Sequence, residues 1–222
     1  VLGWFQSPGR LSVKIDGAPA IVWGRCPVSG MQFVGTKSVF NKKDPKMCYS
    51  RSDIEHYYGH IPVLVEILDM CLECLPDTPY IYQGDWIGFG GERDYTPNTL
   101  TYLFPDYTGE DVIIAPHTRY ELGDDGLRDA YGLPINQGEL KSTELVRFVH
   151  PKCRMYTGYY NQLDGKDNRF ELGNRVEFAR QIAASVEFVD KKTATKLKKA
   201  FNKAIRNGDD IHPDTFEFEG VD

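Results

Sequence analysis

Leu11-Ser12-Val13-Lys14-Ile15-Asp16-Gly17-Ala18-Pro19-Ala20-Ile21-Val22-Trp23 is the stretch on which the reading of this chain turns. Residues two apart on a strand share a face, so Lys14 and Asp16 are predicted to project together while Val13 and Ile15 turn to the core. Gly17 lets the backbone turn, or lets a ligand approach it closely. Asp-Gly is also among the commonest turn dipeptides, and a plain strand end followed by a turn would explain the same residues without any chemistry.

The chemistry that a Lys-x-Asp-Gly spacing serves is covalent catalysis by an amine, in which a neutral lysine attacks phosphorus and stores a nucleotide as a phosphoramidate. A lysine in water is almost wholly protonated, so such a nucleophile needs its pKa lowered by partial burial or by a nearby cation such as a bound metal. Asp16 is placed to orient the amine or to help hold a divalent ion.

Together with the residues that follow, the motif resembles the nucleophile motif of the covalent nucleotidyltransferases, the superfamily of ATP-dependent DNA and RNA ligases and mRNA-capping guanylyltransferases. In Gln32-Phe33-Val34-Gly35-Thr36-Lys37-Ser38, Lys37 stands where that family has a basic residue near ribose and phosphates. Tyr80-Ile81-Tyr82-Gln83-Gly84-Asp85-Trp86 is similar to its Gly-Glu strand, with Asp85 in place of glutamate. Tyr102 or Phe104, in Thr101-Tyr102-Leu103-Phe104-Pro105-Asp106, would supply the aromatic that stacks on the base; an aromatic on a strand is more often a core residue. Glu219-Gly220-Val221 looks like the start of a Glu-Gly-hydrophobic motif, although Asp222 follows.

The resemblance implies an α+β, ligase-type fold of two packed antiparallel sheets flanked by helices. It implies Lys14 as the nucleophile with Asp16 beside it, and Val13, Gly17, Lys37, Asp85 and Phe104 around the nucleotide. Asp85 and Glu219 would hold the metal. ATP with Mg2+ or Mn2+ would be consumed to form lysyl-AMP, and the AMP passed to a nucleic-acid 5′-phosphate, RNA favoured over DNA. A non-catalytic nucleotide- or partner-binding module on a ligase scaffold, and a capping-type guanylyltransferase, are the alternatives. Ala18 to Gly24 and Lys37 to Lys43 are further similar to a group of bacteriophage ligase-like proteins, which implies a monomer in the host cytoplasm. The first residue is Val1, the end Phe216-Glu217-Phe218-Glu219-Gly220-Val221 alternates like a strand beginning, and no final lysine-bearing strand follows. Residues 1–222 are therefore expected to be one nucleotidyltransferase domain cut at both ends.

Composition bounds this reading. With 222 residues, 41% of them hydrophobic, the chain can bury one sizeable core. No apolar run reaches the length of a membrane span, and no leader pattern is visible. Five scattered cysteines fit reduced thiols, and Cys71 and Cys74, at helical apolar spacing, fit core packing better than zinc. The five histidines show no ligand spacing and none is given a catalytic role. Gly88-Phe89-Gly90-Gly91 lacks the Lys-Ser or Lys-Thr of a phosphate-binding loop. A net charge of −6 gives no broad basic surface, but lysines crowd the last helix, where they could meet phosphates or merely form a solvated face.

Periodicity and breakers predict strands within residues 10–40 and at 79–89, 99–104 and 111–116, helices over 52–75 and 173–207, and a loop from Arg119 to Gln137.

Overall fold

Strand β1 (Arg10–Ser12) stops before the Lys-x-Asp-Gly motif in the computed structural model, which describes residues 2–3, 10–136, 138–151, 154–156 and 169–212. The chain divides into two compact units, Lys14–Pro151 and a second made of Val1–Val13 with Lys152–Asp222. The architecture is α+β with antiparallel sheets, as the sequence suggests.

The unit Lys14–Pro151 is built on β2 (Ala20–Arg25), β3 (Gln32–Gly35), α1 (Arg51–Tyr58), α2 (Pro62–Cys74), β4 (Ile81–Phe89), β5 (Asp94–Tyr95), β6 (Tyr102–Leu103), β7 (Val112–Gly123), β8 (Gly126–Pro134) and β9 (Val146–Phe148). Its main sheet runs β3-β2-β4-β7-β8 antiparallel, and β9 adds to β7 in parallel. Ile21, Val22 and Trp23 are all fully buried, because a central strand with both faces covered needs apolar residues on both.

On one face Ile21, Trp23, Tyr82, Trp86, Val112 and Ile114 meet Ile54 of α1 and Val65, Leu68 and Cys71 of α2. The other face carries two separate apolar patches. Val22, Phe33, Val39 and Ile81 form one, and Ile87, Ile113 and Ala115 with Tyr95 of β5 form the other. Within this unit the expected second sheet is thus reduced, among the described residues, to the β5–β6 ribbon, whose Tyr95 and Tyr102 cover the second patch.

Three expectations are corrected. The single helix over 52–75 is two helices, because Pro62 forces Ile61 out of helical geometry (φ −130°) and opens α2 at its first turn, where its missing N–H costs nothing. The α1 start is also set earlier, at the Ser50 cap, whose side chain accepts the Asp53 N–H. The loop expected from Arg119 to Gln137 is mostly the β7–β8 hairpin, in which Arg119 pairs with Leu133 and Glu121 with Tyr131. Its acidic residues lie in the Asp124-Asp125-Gly126 turn, where Gly126 takes φ +63°, and on the exposed rim.

The other unit pairs β1 with β10 (Arg154–Tyr156) and holds α3 (Arg169–Ser185) and α4 (Lys191–Asn207). The helix expected over 173–207 is divided between them, since Asp190 caps α4 by accepting the N–H groups of Lys192 (2.7 Å) and Thr193 (3.1 Å). Helix α4 ends as expected at Asn207, with Gly208 left-handed at φ +76°.

Candidate active site around Lys14 and Asp85

Residues 13–17 form no regular strand, yet their path is fixed at three points. Ile15 packs beside the Ile87 and Ile113 patch. The Tyr102 hydroxyl accepts the Asp16 N–H and donates to the Asp16 carbonyl, both at 2.8 Å. Gly17 lies directly on β4, where a Cβ would come within 2.1 Å of the Trp86 carbonyl oxygen. The close approach that Gly17 permits is therefore that of its own chain. The ladder then continues through Ala18 N–H to Trp86 O (3.1 Å) and Trp86 N–H to Pro19 O (2.9 Å).

That path lays Lys14 and Asp16 beside Asp85. The Lys14 Nζ donates to Asp16 Oδ1 at 2.8 Å and also to Asp85 Oδ2 across 71 positions of sequence. Asp16 Oδ2 accepts from Asn98 Nδ2 at 2.6 Å. Asp85 is only 5% exposed and lies, with buried Gln83, on the strand between the two apolar patches. A buried carboxylate requires partners, and here they are Lys14 and His117, whose Nε2 is 3.4 Å from Asp85 Oδ1.

His117 reaches that position through a β-bulge. Gln83 pairs with Thr118 but Gly84 with Pro116, so His117 is an extra residue in β7. Its Nδ1 is 2.7 Å from the Thr118 hydroxyl. Gln83 Nε2 lies 3.3 Å from the same imidazole, and its Oε1 accepts from the Tyr120 hydroxyl at 2.7 Å.

Protonation follows from these contacts. Burial alone would favour neutral Lys14, but the hydrogen bonds and charges of Asp16 and Asp85 outweigh it and raise its pKa above the ordinary value. Burial likewise opposes ionised Asp85, and His117 and Lys14 nevertheless hold its carboxyl below the usual range. The Lys14 hydrogen bond does the same for Asp16, against partial burial and with help from Asn98. The lowered lysine pKa expected of a nucleophile is thus reversed: with two carboxylates on Nζ the amine is held protonated.

Of the sequence-predicted residues, Lys14, Asp16, Gly17 and Asp85 come together, with the Tyr102 hydroxyl on the Asp16 backbone, and Val13, Lys37 and Phe104 do not join them. Val13, expected in the core, is 56% exposed, because the strand stops before it. Lys37 is exposed on a 3-10 helix (Lys37–Phe40) and makes no hydrogen bond or ion pair with a described residue, although the β3 register carries it toward the Ala20 end of β2, where Ala20 faces Asp85. Phe104 is occupied in an edge-on contact with Tyr95, ring centroids 5.5 Å apart, and by the Arg147 guanidinium at 5.7 Å. Glu219 lies outside the described residues. His117, Asn98 and Gln83 were not singled out by sequence. The available signal was Pro116, a proline within a strand run, which marks a bulge.

The oxygen donors fit a hard cation of the magnesium type, which is commonly held by one or two carboxylates and completed by phosphates and water. Asp16 and Asp85 are the two at hand; no group of three or more His, Cys, Asp or Glu suited to a metal occurs among the described residues. A cavity of about 440 Å³ opens elsewhere, lined by Arg25, Tyr80, Tyr120 and Leu122, and none of the Lys14 cluster lines it.

The chain matches, over residues 1–220, a family described as of unknown function (DUF6267). No curated protein and no solved structure matches it.

Proposed function

The chain belongs to this family of unknown function, and we propose that it is a ligase-like nucleotidyltransferase that forms lysyl-AMP at Lys14 from ATP. What carries the reading is one observation, an amine held between Asp16 and the buried Asp85 by residues that the Lys-x-Asp-Gly segment and a Gly-Asp strand bring from 71 positions apart. An α+β scaffold whose polar strip lies on the sheet face opposite the helices supports a ligase-type fold.

In the proposed reaction Lys14 Nζ loses one proton before attack and a second as the N–P bond forms, while the bond from the α-phosphorus to the pyrophosphate oxygen breaks. Asp16 and Asp85 touch Nζ and orient it, and both protons leave to solvent past the half-exposed Lys14 side chain. His117 and Asn98 orient the two carboxylates. A divalent cation on Asp16 and Asp85 would supply charge neutralisation at the polyphosphate. Attack by the oxygen of a nucleic-acid 5′-phosphate, RNA before DNA, would then break the N–P bond and return Lys14. The buried free thiols Cys26, Cys48, Cys71 and Cys74 support a reducing compartment. No helix among the described residues is long and apolar enough to cross a membrane.

A second reading, a nucleotide-binding module without turnover, is favoured by the shorter Asp85 side chain and by the protonated, ion-paired Lys14. Incubation with α-labelled ATP or GTP and Mg2+ or Mn2+, then denaturing electrophoresis, separates the two. Adenylate on the wild type and none on Lys14→Ala is the expected result. GTP labelling would make it a capping-type enzyme, and no label with either nucleotide would leave the binding module.

A further inference from the structure

Helix α4, Lys191–Asn207, holds seven cations and no carboxylate in 17 residues, in a chain whose net charge is −6. Five of those cations, Lys192, Lys196, Lys199, Lys203 and Arg206, recur at alternating intervals of four and three residues. At 3.6 residues per turn they fall within an arc of about 80° and form a straight stripe about 21 Å long. Every one of these side chains is exposed, and none of the four lysines makes an ion pair with a described residue. The helix buries a different side: Ala204 is buried and Leu197 and Ala200 are half-buried.

We propose that this stripe is a docking surface for the sugar-phosphate backbone of a nucleic-acid strand. The ligand it fits is a polymer with regular anionic charge. A duplex carries a phosphate per about 1.7 Å of axis with both strands counted, so a stripe of about 21 Å has more phosphates beside it than its four lysines can meet. An anionic membrane fits less well, since Ala204 is buried and Leu197 and Ala200 are half-buried, which leaves only Phe201 and Ile205 of the apolar side exposed to enter an acyl boundary. The contact reads charge spacing and carries no base specificity. It stands on residues separate from Lys14, and its test contains no ATP, so its failure and that of the nucleotidyl-transfer reading are told apart.

The test is the salt dependence of binding to fluorescent single-stranded RNA and duplex DNA of mixed sequence, each longer than the stripe. Neutralisation of phosphates by the four lysines gives a slope of log K against log salt of about −2.8 for a single strand and about −3.6 for duplex DNA. Lys192→Gln with Lys196→Gln is expected to make that slope shallower by about 2 units. Lys191→Gln with Lys198→Gln removes the same charge from the same helix but off the stripe, and is expected to change it by less than half as much. Glutamine is a good helix former, so helical circular dichroism is expected to stay at the wild-type value in both pairs. Equal effects of the two pairs, absence of binding to either nucleic acid, or binding to phosphatidylserine vesicles in preference to both would overturn the proposal.

Discussion

Asp85 occupies the residue position with the most at stake, a carboxylate 5% exposed that is tolerable only because Lys14 and His117 meet it. Replacing His117 with alanine leaves one Asp85 oxygen short of a partner, and a loss of about 1–3 kcal/mol is expected in urea denaturation. Gly17→Ala is expected to cost about 1–3 kcal/mol by the same measurement, since its Cβ would strike the Trp86 carbonyl rather than a yielding side chain. If Gly17→Ala unfolds at the wild-type urea midpoint, residues 13–17 do not lie on β4. The pH dependence has a definite sign. Depressed carboxyls at Asp16 and Asp85 contribute stability that is present above their ordinary pKa of about 3.9 and is lost as pH falls through their lower folded values. The raised Lys14 contributes below its ordinary value of 10.5 and loses that contribution only in stronger alkali. The difference in melting temperature between wild type and Asp85→Asn is therefore expected to be constant near neutral pH and to shrink below about pH 4.

Secondary elements were legible where one residue type settles the backbone. Pro76 closes α2 and Asn207-Gly208 closes α4 as the sequence suggests, whereas Pro62, which opens α2, lies inside the single helix expected over 52–75. The β7–β8 hairpin was hidden because its inward residues are only half-buried, so its alternation is weak and its turn residues dominate the local composition. The bulge at His117 was hidden for another reason: it is a property of the pairing of two strands, visible only once Gln83 is set against Thr118 and Gly84 against Pro116. Lys14, Asp16, Gly17 and Asp85 were readable because their motifs are local, whereas His117 and Asn98 join them through tertiary contacts alone. Leu68, fully buried between α2 and the sheet, provides a check on the helical face. Leu68→Ala is expected to destabilise the protein by about 2–5 kcal/mol; a change below 1 kcal/mol in chemical denaturation would contradict the packing of α2 described above.

At the scale of the whole molecule, the division into Lys14–Pro151 and the remainder places the Lys14 cluster within one unit and the basic helix within the other. The first unit contains the extended core of Ile21, Trp23, Leu68 and Ile114 and both of the smaller patches. A fragment of residues 14–151 is accordingly expected to unfold in one cooperative transition; a gradual, non-cooperative loss of circular dichroism would show that its core needs the other segments. Sequence allows one domain, or one plus a small subdomain, and no linker-like composition marks the crossing points at Val13 and Lys152. The central proposal is that Lys14 becomes covalently nucleotidylated. It is tested most directly by incubating the protein with ATP and Mg2+ and mapping the adduct by peptide mass spectrometry. AMP on the peptide containing Lys14, absent when Asp85 is changed to Ala, is the expected result; an unmodified Lys14, or AMP carried by a different lysine, would contradict it.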